Sequence, residues 1–169
     1  MSQRNNNFFQ FKKEWSITKD KILGKYLRPY FQKLITRGRP ICYVDCFAGK
    51  GRFDDGNDGS PLIALDCINN SIINSKFDAT IYSYFIELNH SEDLKKNVNN
   101  YLNNIANSNI ISKVIAGKFE ENIDNILDEH FRSTVFLYVD PYGIKALDVD
   151  KFNSFKMTDD KSVELLINY

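Results

Sequence analysis

Apolar residues along the 169-residue chain fall into five short runs, and helical patterns separate these runs. Each run is rich in β-branched or aromatic residues and has the length of a strand, which is typical of sheets buried on both faces. We therefore predict strands at residues 41–44, 80–87, 110–116, 135–139 and 163–169. Strands that alternate with helices indicate a parallel α/β sheet with right-handed crossovers.

An amphipathic helix is predicted before the first strand. Its apolar residues recur at spacings of three and four and form one stripe, while most lysines fall off it. Ser16 is placed as the N-cap, and Gly38 and Pro40 end the helix. Further helices are expected at 62–69, 91–104 and 122–131, the first of them capped by Ser60 with Pro61 in its first turn. The chain is thus expected to be a single domain, with residues 1–40 as a helical extension and residues 41–169 as the core.

Composition is that of a globular soluble protein, with 43% hydrophobic and 14% aromatic residues. No apolar run approaches the roughly 18–20 residues that span a bilayer, and the polar start is no signal peptide. Cys42, Cys46 and Cys67 are odd in number and lack metal-like spacing, which predicts buried, reduced thiols. These features favour a cytoplasmic protein with no membrane segment.

The net charge of zero hides an asymmetry. Residues 1–52 hold 12 Lys and Arg against 3 Asp and Glu, a net charge of +9, whereas the remainder holds 10 against 19, a net charge of −9. A basic end can contact the phosphates of a nucleic acid. It can equally be the solvated face of a helix.

The first strand ends in Asp45, and Phe-Ala-Gly-Lys-Gly follows at residues 47–51. A dinucleotide fingerprint would need a third glycine after Gly51, and a P-loop would need a longer loop that ends in Gly-Lys-Ser/Thr. The pattern D-x-F-A-G-x-G fits an S-adenosylmethionine-binding turn, with Asp45, Phe47, Ala48, Gly49 and Gly51 as candidate contacts. A tight strand-to-helix turn without a ligand is the alternative.

Two further strand ends carry candidate cofactor contacts. The second strand ends in Glu87, whose carboxylate can accept both hydroxyls of a ribose in a doubly wound sheet. An exposed glutamate with no role is the alternative. The loop at 117–120, after the third strand, is where an adenine ring would stack, and Phe119 is the candidate there.

The fourth strand ends in Asp140, Pro141 and Tyr142, followed by Gly143. Proline fixes the turn so that the Asp140 carboxylate and the Pro141 carbonyl can face one reacting group. Asp140 can accept the proton of an amine nucleophile, and Tyr142 can stack on a base swung out of a helix. A plain turn after a buried strand is the alternative.

Other polar groups carry less weight. The acidic loop at 54–59 lacks the ligand spacing and final glutamate of a calcium loop, so no metal site is predicted. His90 and His130 are expected on helix surfaces, outside any catalytic setting.

Five segments in order resemble the three-Cys-motif partner proteins, a bacterial family with a class I S-adenosylmethionine-dependent methyltransferase fold. They are residues 14–19, 44–52, 58–65, 139–143 and 166–169. The resemblance implies a Rossmann-like sheet with strand order 3-2-1-4-5 and cofactor contacts at the glycine turn and Glu87. It also implies that residues 140–142 lie at the reacting end. The family name refers to a partner protein that carries a cysteine motif, and such a protein is one expected partner.

Two departures from the resemblance matter. Residues 140–143 lack the second proline of the Asp/Asn-Pro-Pro-Tyr/Phe signature of enzymes that methylate base amino groups. The family's fold continues past the fifth strand, so its C-terminal strands are expected to be missing here and the fifth strand to be an open edge. The chain is then expected to be a fragment or truncated product, or that edge is covered by a partner or by a second copy in a dimer.

Two functions are therefore expected. One is an S-adenosylmethionine-dependent methyltransferase that acts on nucleic acid. The other is a non-catalytic Rossmann-like module that docks a partner protein or DNA through the basic helix. For both functions, we expect the turns after the first and fourth strands to converge on one hollow.

Overall fold

The computed structural model describes residues 9–105, 107–141 and 162–168, and these residues alternate between helices and strands. In chain order the elements are α1 (Glu14–Ile35), β1 (Ile41–Asp45), α2 (Ser60–Ile73), β2 (Ile81–Glu87), α3 (Ser91–Ile105), β3 (Ile110–Ala116), α4 (Phe119–Glu129), β4 (Thr134–Val139) and β5 (Ser162–Ile167). The α/β class predicted from the sequence is confirmed.

The five strands form one sheet in the order β3-β2-β1-β4-β5, and every neighbouring pair is parallel. The central strand β1 is buried along its whole length, with Cys42 between Tyr82 of β2 and Val135 of β4. The strand order of a Rossmann-like fold is thus confirmed. Strand order reverses between β1 and β4, and such a reversal opens a crevice at the carboxyl ends of the strands.

Helices cover both faces of the sheet. Apolar residues of α1, α2 and α3 form one cluster with one face, and α4 packs alone among the described helices on the other. This division follows from right-handed crossovers, because the chain runs outward from β1 to β3 and then returns to β4. Helix α1 is therefore part of a core layer, with Phe31 against Tyr43 of β1 and Tyr30 against Phe136 of β4.

Two predicted helix caps are wrong. Helix α1 begins at Glu14 with Lys13 as its N-cap, and Ser16 lies inside the first turn. The negative charge of Glu14 suits a helix N-terminus, so the helix extends before the apolar stripe. Helix α2 begins at Ser60 with Gly59 as its N-cap, because the Ser60 hydroxyl is bonded elsewhere. Pro61 lies in the first turn as predicted.

Helix α4 corrects two further expectations. It begins at Phe119, where the sequence predicts a loop, and it ends at Glu129. His130 follows directly and is buried, not on a surface, because its ring packs against Tyr82 and Tyr84 of β2. A hydrogen bond of 2.7 Å joins His130 Nε2 to Tyr84 Oη. Burial lowers the pKa of His130, so the neutral ring is favoured.

The three cysteines are buried and unpaired, as predicted. None of the helices in the described part of the chain combines the length and apolar character that a bilayer crossing needs.

Candidate functional site

A cavity of about 1250 Å³ opens at the carboxyl ends of the strands. Its walls are the glycine turn after β1, the ends of β2 and β4, the start of α4 and the first turns of α1. Gly49 and Asp140 both line it, so the predicted convergence of the first and fourth strand ends is confirmed. Ligands of open α/β sheets bind at this crevice.

The glycine turn needs glycine at two positions. Gly49 and Gly51 have φ angles of 63° and 77°, which L side chains rarely adopt. A Cβ on Gly51 would lie 2.9 Å from Leu94 Cδ1, and a Cβ on Gly49 would lie 3.2 Å from the Phe9 ring. The turn therefore owes its shape both to backbone conformation and to close packing.

The amide groups of residues 47–49 in this turn are already bonded within the protein. Phe47 donates to Asp45 Oδ1 at 3.2 Å, Ala48 donates to the Ile86 carbonyl at 3.0 Å and Gly49 donates to Glu87 Oε2 at 2.8 Å. A phosphate-binding loop instead directs successive free N–H groups at its ligand. These three amides are therefore not available to an anion, unlike those of a P-loop.

Asp45 does not line the cavity, although the sequence placed it among the cofactor contacts. It is fully buried beneath the turn and accepts hydrogen bonds from the Phe47 amide and from Ser60 Oγ at 2.6 Å. Burial raises the pKa of its carboxyl to about 7, against the effect of these bonds. Asp45 thereby ties the end of β1 to the first turn of α2, and it acts on the cavity only through the turn.

Glu87 lines the cavity and also holds the turn. Its Oε2 accepts the Gly49 amide, and its Oε1 accepts the amides of Asn89 at 2.8 Å and His90 at 3.1 Å. Each carboxylate oxygen has about two acceptor sites. Oε2 therefore retains capacity for one more hydrogen bond, which suits a ligand hydroxyl.

Aromatic and small residues form an apolar wall beside the turn. Phe119 is buried at the start of α4, and its ring centroid lies 5.8 Å from that of Phe47. Both residues line the cavity together with Ala48. An apolar wall of this kind can contact a flat apolar ring, and adenine stacking at Phe119 stays a prediction.

Asp140 and Pro141 line the cavity at the end of β4, whereas Tyr142 lies outside the described residues. Lys19 Nζ donates to Asp140 Oδ1 at 2.8 Å, and Tyr138 Oη donates to Asp140 Oδ2 at 3.4 Å. Burial raises the pKa of Tyr138, which keeps the phenol protonated as a donor. The Asp140 carboxylate is thus oriented through both of its oxygens.

The N-terminal part of the described chain supplies a wall that sequence reasoning missed. Phe9 lies on the glycine turn with its ring 4.9 Å from that of His90, and its carbonyl accepts the Asp54 amide at 2.8 Å. Trp15 and Lys19 line the cavity from α1. The sequence signal for this wall was the pair of aromatic residues at positions 9 and 15, which lie outside the buried stripe of α1.

A second ion pair lies beside the first at this wall. Lys12 pairs with Asp20, and burial raises the pKa of the Asp20 carboxyl while Lys12 opposes the change.

Among residues 9–105, 107–141 and 162–168, no group of three or more His, Cys, Asp or Glu side chains is arranged to hold a metal ion.

Comparisons of the chain with protein-family models, curated proteins and solved structures find no match. Fold and cavity together define the class of protein as a Rossmann-like α/β protein with a cavity at the reversal of its strand order. The lining carries both signs of charge, and the glycine turn itself is bonded to a carboxylate, that of Glu87.

Proposed function

We propose that this protein is an S-adenosylmethionine-dependent methyltransferase that acts on an amino group of a nucleic-acid base. The observation that carries the proposal is one cavity lined by the glycine turn, Glu87 and Asp140. A cofactor at the turn would have its reacting end directed toward β4, where Asp140 can meet an acceptor.

The lining of the cavity supports a nucleoside cofactor without phosphates. The turn's amides at residues 47–49 are occupied, and Glu87 adds a negative charge that would repel a phosphate. Glu87 Oε2 is expected to accept a ribose hydroxyl, and Phe47 and Phe119 are expected to contact the adenine. The volume of about 1250 Å³ exceeds the roughly 300–1,000 Å³ of a typical small-molecule pocket, which leaves room for an acceptor.

S-adenosylmethionine supplies an electrophilic methyl group: its sulfur–carbon bond breaks as the nitrogen–carbon bond forms, and S-adenosylhomocysteine is released. The protein's contribution is positioning and the removal of the amine proton. Asp140 can take that proton through Oδ1 once Lys19 no longer donates to this oxygen. Pro141 and Tyr138 keep the carboxylate in place during the reaction.

Two measurements test the proposal. Calorimetric titration with S-adenosylhomocysteine should show binding, and labelled methyl groups should be transferred to an adenine- or cytosine-containing oligonucleotide. Asp140→Asn should abolish transfer and keep S-adenosylhomocysteine binding. The matched control is Asp78→Asn, since Asp78 is exposed and does not line the cavity. Absence of cofactor binding at millimolar concentration would refute the proposal.

A non-catalytic binding module is the second candidate. It is favoured by the pairing of Asp140 with Lys19 and Tyr138, which gives each carboxylate oxygen a hydrogen-bond donor from within the protein. Under this function the protein binds a partner protein or DNA, and the ion pair is only structural. Transfer of labelled methyl groups by the purified protein, lost in Asp140→Asn, would exclude it.

A further inference from the structure

We propose that the start of α1 forms the acceptor subsite, in which Trp15 is a stacking platform for a planar nucleobase and Lys19 is displaced when the base binds. The inference rests on the proposed function and assigns its acceptor side to residues outside the turns of β1 and β4. The two sides of the cavity can be tested separately.

Trp15 has the position of a platform. It lines the cavity from the first turn of α1, and half of its surface is exposed to solvent. Ser16 and Lys19, its neighbours on the helix, line the same wall. A large aromatic ring that is exposed at the mouth of a cavity provides contact area at little cost in conformational freedom. Such rings can stack on any nucleobase, because every base has a π-face.

Lys19 connects Trp15 to Asp140. Its ammonium lies 5.1 Å from the Trp15 ring centroid and 2.8 Å from Asp140 Oδ1. A base that stacks on this face of the ring has to displace the ammonium, because both occupy the same side of the indole. Displacement frees Asp140 Oδ1. Acceptor binding thereby makes the proton acceptor available only when an amine is present.

The charge of this wall fits a base that carries a phosphate. Lys13 lines the cavity next to Trp15, and its ammonium has no ion pair within the described residues. The ligand chemistry is thus a planar base with a nearby phosphate, which a free nucleotide and a single-stranded nucleic acid both present.

Trp15 is the single tryptophan of the chain, so intrinsic fluorescence reports on the subsite directly. Adenosine monophosphate and a short single-stranded oligoadenylate are the probes, each titrated with and without saturating S-adenosylhomocysteine. Both should quench Trp15 fluorescence to saturation. Tighter binding of the oligonucleotide identifies nucleic acid as the source, and equal binding identifies a free nucleotide.

Variants are followed by the anisotropy of a labelled oligoadenylate. Trp15→Leu should weaken binding about tenfold, while Trp15→Phe keeps most of it. Lys19→Met should bind about threefold more tightly, because a competing cation–π contact is removed. The matched control is Ile22→Ala, since Ile22 is equally exposed on α1 but does not line the cavity.

The outcomes separate the inference from the proposed function. Unchanged oligoadenylate affinity in Trp15→Leu would overturn the inference, as would quenching by S-adenosylhomocysteine that competes with adenosine monophosphate. The latter would assign Trp15 to the cofactor. Weaker binding in Lys19→Met would show that Lys19 is structural and would overturn its displacement. If the wild-type protein does not bind S-adenosylhomocysteine, the proposed methyltransferase function is refuted but the base-binding role of Trp15 is not.

Discussion

Gly51 is the residue on which the turn beside the cavity depends most. Its φ of 77° belongs to the left-handed region, and a Cβ there would meet Leu94 Cδ1 at 2.9 Å. Leu94 is fully buried in α3, so it cannot move without disturbing the core. Backbone conformation and packing therefore act together at this position.

Gly51→Ala should lower the free energy of unfolding by about 2–4 kcal/mol, because overpacking adds to backbone strain. Gly56→Ala is the matched control: its φ is 86°, but a Cβ there meets nothing within 4 Å. That variant should lose only about 1 kcal/mol. Urea denaturation of both variants measures the difference, and equal losses would show that Leu94 yields freely.

Asp45→Asn should change the pH dependence of stability. The carboxyl titrates at about 7 in the folded protein and at 3.8 ordinarily, so the folded state binds more protons between these values and wild-type stability falls as pH rises through them. Asn keeps the shape without the charge. Between about pH 4 and pH 7 the free energy of unfolding of the variant should rise by ~1–4 kcal/mol relative to that of the wild type. Parallel denaturation profiles would contradict the raised pKa.

Sequence reasoning identified the residue types of the turn but not all of their tasks. Gly49 and Gly51 could be found because their spacing after a strand implies a tight turn. Asp45 and Glu87 stood at equivalent strand ends, yet only Glu87 lines the cavity. The difference depends on register and on Ser60: Asp45 pairs with Phe85, two residues before Glu87, and the Ser60 hydroxyl holds its carboxylate beneath the turn. No local pattern encodes that contact.

Helix α1 shows what periodicity conveys at the scale of an element. Its apolar stripe predicted the buried side correctly, with Leu23, Leu27 and Phe31 in the core. The stripe carried no information on the other side of the helix, where Trp15 and Lys19 face the cavity. Lys19 meets Asp140 across 121 residues of chain, and only the strand order brings them together.

The end of α4 makes stability sensitive to acid. Burial lowers the pKa of His130, so the unfolded chain binds more protons than the folded one near and below pH 6.5. The contribution of the neutral His130 ring to the free energy of unfolding is complete above the pKa that His130 has in the unfolded chain. It is lost as pH falls through the pKa that His130 has in the folded protein. His130→Asn should remove this loss, as measured by urea denaturation across pH in the Asp45→Asn background, which excludes the opposing slope.

A His130→Asn profile that matches the parent would show that Tyr84 accommodates a protonated ring without cost.

The charge asymmetry of the sequence is balanced only in part by ion pairs in the folded molecule. Lys12 pairs with Asp20, Lys19 with Asp140 and Arg28 with Asp66. Two further cations near the turn, Lys50 and Arg52, pair with acids of the loop that follows. Among the described residues, the exposed lysines of α1 and the exposed Arg37 and Arg39 after it have no ion pair and remain for direct contact with a phosphate backbone.

The two proposed functions differ in where a nucleic acid binds. Lys25 and Lys33 lie on the exposed side of α1 and do not line the cavity. If acceptor binding occurs in the cavity, the double variant Lys25→Glu, Lys33→Glu should keep oligoadenylate affinity within about threefold at moderate salt, because exposed charges beyond a Debye length are screened.

A docking surface on α1 gives the opposite expectation. Removing two phosphate contacts should weaken binding by an order of magnitude or more and reduce the slope of log affinity against log salt by about 1.4. Anisotropy titrations at several salt concentrations measure both quantities, with Lys13→Met as the comparison inside the cavity. A strong effect of the double variant together with none of Lys13→Met would place the nucleic acid on the outer side of α1, and the methyltransferase would then lack an acceptor.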